Sequence, residues 1–129
     1  MTSDEADPLA TLECVVLDCP QPIVLATFYR ELLGGVINQP DPRWAVNEAW
    51  ATLHTPTGQV LAFQAVEPYV SPDWPDPERP QQFHLDFHVG SLDLAHSAVL
   101  ASGARLLEST RGWRVYADPA GHPFCLVGK

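Results

Sequence analysis

The chain has 129 residues, 46% of them hydrophobic, and a formal charge of −9 from 16 acidic against 7 basic side chains. That length and apolar content suit a single folded domain with a buried core, not a disordered segment. The negative balance, with no basic cluster to offset it, repels phosphate backbones and anionic lipid, so neither nucleic acid nor a membrane surface is an expected partner.

The opening stretch MTSDEADPLA is acidic and lacks the basic and apolar runs of a secretory signal. TLECVVLDC (11–19) then reads as a strand and PQP as a turn. IVLATFYRELLGG follows with Val24, Phe28 and Leu32 at helical spacing and glycines at the stop, which predicts a helix over 22–33 with that ridge in the core. Residues 36–49 are poorly patterned and predict a short edge strand. WATLHTPTGQVLAFQAV (50–66) is a strand, a TPTG turn and a second strand. EPYVSPDWPDPERPQQ (67–82) carries five of the 13 prolines, so it is neither helix nor central strand. It predicts an ordered connector, pinned by Tyr69 and Trp74 and packed near a ligand cleft. FHLDFHVGS is again a strand, LDLAHSAVLASGA a helix over 92–102 ending at Gly103, RLLEST a short strand, and WRVYADPAGHPFCLV (113–127) another hairpin.

The two hairpins align without a gap: Trp50 with Trp113, Pro56 with Pro119, Gly58 with Gly121, Phe63 with Leu126. Proline fixes one turn dihedral and glycine accepts a positive φ, so the shared Pro-x-Gly has a mechanical origin. The chain therefore reads as an α+β fold of two βαβββ modules, approximately 10–66 and 82–128, joined by the connector 67–81 within one domain spanning 1–129.

QQFHLDFHVG (81–90) alternates His84, Asp86 and His88 with Phe83, Leu85, Phe87 and Val89. Period two puts the apolar set into a core and both imidazoles and the carboxylate on the other face. Extending the alternation to the first strand sets 11, 13 and 15 on the matching face and makes Glu13 the counterpart of Asp86. His84, Asp86 and Glu13 are the candidate acid/base residues. The bland alternative is that they only bridge the two modules. His84, Asp86, His88, Glu13, Arg114, Tyr116 and Trp74 are the candidate ligand-binding residues, and acids on a cleft floor favour a ligand with amine or hydroxyl donors. His54, His96 and His122 sit in turns or on a helix and are expected to be solvated. Cys14, Cys19 and Cys125 match no zinc or redox spacing, which predicts reduced thiols and a cytoplasmic protein.

The paired modules, the helix ending FYRELLGG and the closing DPAGHPFCLV resemble the vicinal oxygen chelate superfamily of glyoxalases, bleomycin-resistance proteins, fosfomycin-resistance enzymes and extradiol dioxygenases. VVLDCPQP, PDWP, HLDF and DPAGHPFCLV look like its glyoxalase-like subfamily found in actinobacteria. The resemblance implies a cup-shaped mixed sheet with helices outside, small-molecule binding on the concave side, and a homodimer. Metal-dependent members supply His, Glu, His and Glu or close variants. Carried over, those positions fall on Thr11, Ala62, His84 and Cys125, a set with one good ligand. Hence neither metal nor cofactor is expected. A displaced site using Glu13, Asp86 and His88 stays open, although residues i, i+2 and i+4 spread over ~13 Å of strand. Two functions remain: a metal-free binding protein that sequesters its ligand or does acid/base chemistry on it, or a metal-dependent lyase, isomerase or dioxygenase with a rearranged site.

Overall fold

In the computed structural model, which describes residues 5–9, 11–39, 47–80 and 84–128, one arrangement occurs twice. The first half runs β1 (Val15–Cys19), α1 (Pro22–Leu33), β2 (Val36–Ile37), β3 (Trp50–His54) and β4 (Val60–Ala65). The second runs β5 (Leu85–Val89), α2 (Leu92–Ala101), β6 (Arg105–Ser109), β7 (Trp113–Ala117) and β8 (Pro123–Gly128). Each half makes an open four-stranded mixed sheet, ordered β1-β4-β3-β2 and β5-β8-β7-β6. β1 and β5 lie parallel to β4 and β8, and the remaining pairs are antiparallel. The expected module boundaries at 10 and 82, and Phe83, lie outside the described residues.

Local chemistry sets the boundaries. Proline at the start of α1 gives up an amide that the first turn leaves unpaired anyway. Gly34, at φ 74°, ends the helix with its N–H on the Arg30 carbonyl. Ser91 caps α2 by accepting the Leu94 N–H at 3.2 Å. The two hairpin turns close alike: Thr55 N–H to Gln59 O at 2.9 Å and Gly58 N–H to Thr55 O at 3.0 Å, against Asp118 N–H to His122 O at 2.9 Å and Gly121 N–H to Asp118 O at 2.8 Å.

The core joins both halves. Leu17, Leu25, Phe28, Tyr29 and Phe63 cluster with Tyr116, Phe124 and Leu126. The Tyr29 ring stacks on Phe63 with centroids 5.8 Å apart and also meets Phe87 and Phe124 at 6.1 and 6.3 Å. One side chain of α1 thus touches both sheets, and its hydroxyl donates to Asp118 at 2.6 Å. The buried face of α1 is Leu25, Ala26, Phe28 and Tyr29, whereas Val24 is 48% exposed. Of the expected ridge, Phe28 is buried and Leu32 packs against the core, while Val24 turns outward and Leu25 takes its place. The run PIVLA is apolar in either frame, and Tyr29 selects between them because its hydroxyl has a buried acceptor.

Candidate functional site

Strand pairing in the second sheet assembles a polar patch on the face opposite the core. Parallel pairing sets Asp86 beside Cys125, and antiparallel pairing sets Val115 beside Cys125 and Trp113 beside Val127. Leu85, Phe87, Phe124 and Leu126 take the alternate positions and pack inward. His84, one residue ahead of β5, shares the parity of Asp86. Its Nε2 lies 3.2 Å from Asp86 Oδ1, with the two side chains 41% and 61% exposed. Cys125 is buried beneath them, and one ligand atom from each of the three lies within 4.8 Å of the others.

These groups line a recess of about 360 Å³ walled by Trp74, Trp113, Val115 and Val127. Trp74 arrives from the connector, which is tied down by Tyr69 donating to Ala120 O at 2.6 Å and by its own Asp73 N–H to Arg79 O bond at 2.8 Å. Burial pushes the Cys125 thiol up to about 11; its hydrogen bond to Asp86 and the charges of Asp86 and Glu108 push the same way. The thiol is thus protonated at neutral pH and donates to the carboxylate that also faces His84.

Trp74, His84 and Asp86 therefore meet in one recess, and the other expected residues do not. Arg114 and Tyr116 were expected to line the cleft, but Trp113 and Val115 face it, so alternation turns 114 and 116 towards α2. Tyr116 is fully buried, stacked on Phe124 at 5.3 Å, with its hydroxyl 2.8 Å from His96 Nδ1. Arg114 Nη2 donates to Asp93 at 2.9 Å. Glu13 and His88 instead line a separate groove of about 840 Å³ that also reaches Asp86. Among the described residues no hydrogen bond or ion pair joins Glu13 to His84 or Asp86.

The first strand also corrects the expected symmetry. Val16 pairs with Ala62 as Asp86 pairs with Cys125, so Val16, not Glu13, is the counterpart of Asp86. Two residues earlier, Cys14 matches His84, and Thr11 precedes the strand altogether. Burial of Leu17 and Cys19 fixes that frame; CVVL alone is apolar on both faces. The three histidines expected to be solvated have partners. His54 Nε2 lies 3.1 Å from Thr52 Oγ1, His96 meets Tyr116, and His122 Nε2 lies 2.5 Å from the Asp18 carbonyl. Trp113, Val115 and Val127 were missed as lining residues. The signal for them was the alternation of the final hairpin, masked by the polar character of Arg114 and Tyr116.

Residues 14–127 match the family described as a glyoxalase-like domain. A glyoxalase/bleomycin resistance protein/dioxygenase family enzyme from Burkholderia phytofirmans superposes with a TM-score of 0.71 at 19% identity, over 92% of this chain and 98% of that one. A glyoxalase/dioxygenase from Nostoc punctiforme gives 0.69 at 21% identity over 100% and 99%. The fosfomycin resistance protein FosX from Listeria monocytogenes gives 0.67 at 13% identity over 95% of each chain. No curated protein matches the sequence. At these identities the structural likeness establishes the fold, and chemistry has to come from the site.

Proposed function

The chain belongs to the glyoxalase-like domain family, and from that premise we propose that it binds a small molecule in the recess between Trp74 and Trp113 on the open face of the second module. One observation carries the reading: an imidazole, a carboxylate and a carboxylate-bound thiol converge at the base of a recess of about 360 Å³ walled by two indoles. A concave, mostly apolar site with a few converging polar groups is the usual form of a small-molecule pocket. Packing does not require those groups, because the other face of β5 supplies the core.

In this reading the centre works without a metal. His84 and Asp86, in contact and open to solvent, can hold a donor-bearing ligand or exchange a proton with it. Of the matching positions in the first module, Cys14, Val16 and Ala62, Cys14 alone carries a ligand atom, and it is not grouped with His84, Asp86 and Cys125. Saturation-transfer NMR with a fragment set tests the site. Fragments that bind the native protein are expected to lose their signal in Asp86→Asn and Trp113→Leu; unchanged binding in both variants would place the site elsewhere.

A metal-dependent centre is the second reading, favoured by the 4.8 Å grouping of His84, Asp86 and Cys125. Nitrogen, oxygen and sulfur donors in that number fit a borderline ion such as zinc, which in catalytic sites takes three protein ligands and keeps one position open. These three residues would hold it, Cys125 giving up its proton on binding. A bound ion would supply Lewis acidity to whatever fills the open position. One equivalent of zinc in the purified protein, lost in His84→Ala, would select this reading over the first.

β1 and β5 are edge strands of the two described sheets, and Val16 on β1 is exposed. A second copy covering them makes the protein a homodimer in this reading, and light scattering at micromolar concentration measures that mass. No described helix is long and apolar enough to cross a membrane. The free cysteines Cys14, Cys19 and Cys125 support a cytoplasmic setting.

A further inference from the structure

We infer that the ligand of this recess is an organic ammonium ion, a protonated amine or a quaternary ammonium group, held between Trp74 and Trp113 with Asp86 as counter-ion. The inference rests on the reading that the recess is the binding site. Two of the chain's four tryptophans reach the recess from separate parts of the sequence, one on the connector and one on β7. Indole faces attract cations through the ring quadrupole, more strongly than the other aromatic side chains. Val115 and Val127 complete the wall with apolar surface suited to the methyl or methylene groups around such a nitrogen.

The electrostatics carry the same sign. Among the described residues no lysine or arginine lines the recess. Arg114, between two lining residues in sequence, is turned to the other face and paired with Asp93. Asp86 stands beside Cys125 at the base of the recess, a carboxylate among otherwise apolar walls. Asp86 is 61% exposed and, among the described residues, has His84 and Cys125 as polar partners, so its outer side is open to an incoming charge. His84 stands opposite the carboxylate, and a bound ammonium ion would share that side of Asp86 with it. The chain's charge of −9 draws cations towards the surface as a whole.

The test compares choline with 3,3-dimethylbutan-1-ol, which replaces the ammonium nitrogen by carbon at the same shape. Binding to the native protein is followed by calorimetry at low ionic strength and pH 8, above the range in which imidazoles ordinarily take up a proton. EDTA in every solution keeps divalent metals out. Choline is expected to bind about ten-fold tighter than the alcohol, the scale of a partly desolvated cation–π contact with a counter-ion. In Asp86→Asn the ratio should fall to about two-fold, and Trp113→Leu should weaken choline by about ten-fold. Trp74→Leu, in the connector, serves where Trp113→Leu does not fold. Equal or tighter binding of the alcohol overturns the inference and leaves the recess as a binding site for neutral ligands. Failure of choline to bind at all, while fragments still bind the recess, overturns it as well.

Discussion

The hairpin turns at 55–59 and 118–122 share a backbone, yet their first residues have different duties. Thr55 is half-buried, and its hydroxyl bonds within the turn, to Gln59 and Thr57. Asp118 is buried and accepts the Tyr29 hydroxyl at 2.6 Å and the N–H groups of Ala120 and His122 at 2.8 and 3.0 Å. It thereby bolts the second hairpin to the helix of the first module. The sheet faces diverge in the same way: Cys14, Val16 and Ala62 stand in one module where His84, Asp86 and Cys125 stand in the other. Repetition of a fold constrains backbone and core positions, while the side chains on the remaining face are free to differ. Here the second module holds both the inter-module bond and the polar centre.

The sharpest way to break that comparison is to remove matched residues. Asp118→Ala leaves the Tyr29 hydroxyl and two amides without their buried acceptor and should cost about 3 kcal/mol in urea unfolding, whereas Thr55→Ala should cost under about 1 kcal/mol. Equal losses would mean that the two turns are interchangeable after all. On the sheet faces, His84→Ala and Asp86→Asn should each weaken fragment binding about ten-fold while moving stability by no more than about 0.5 kcal/mol, since both side chains are largely exposed. Cys14→Ala, at the position matching His84, should leave binding unchanged.

A smaller effect concerns the thiol. With its pKa raised to about 11, Cys125 is roughly one part in a thousand ionised at pH 8 and should react slowly with iodoacetamide. Replacing Asp86 by Asn removes a charge that favours the protonated form, so the pKa should fall and alkylation should quicken several-fold. Mass spectrometry of the Cys125 peptide follows the rate. An unchanged or slower rate would show that Asp86 does not act on the thiol.

The fold and part of the candidate recess, Trp74, His84 and Asp86, were legible in the sequence. The Pro-x-Gly turns occur twice in one register, and HLDFH alternates large apolar residues with polar ones, so only one frame buries the former. Legibility failed where one face did not differ from the other. CVVL gave no frame for β1, which misplaced Glu13 opposite Asp86, and PIVLA gave none for the start of α1. Arg114 and Tyr116 misled for another reason. Arg114 Nη2 donates to Asp93 and the Tyr116 hydroxyl meets His96, both on α2, so polar residues occupy the inward face of β7 while Trp113 and Val115 face the recess. That exchange depends on partners some 20 residues away, which alternation alone does not reveal.

The proposal that the binding centre lies in the second module is tested most directly by ¹⁹F NMR of protein labelled with 5-fluorotryptophan, each resonance assigned by a Trp→Phe variant. During titration with a fragment that binds the native protein, the account predicts that the Trp74 and Trp113 resonances shift together with a single affinity. Trp50, the counterpart of Trp113 in the first hairpin, should stay still. Movement of Trp50 with Trp74 and Trp113 unmoved would contradict the account.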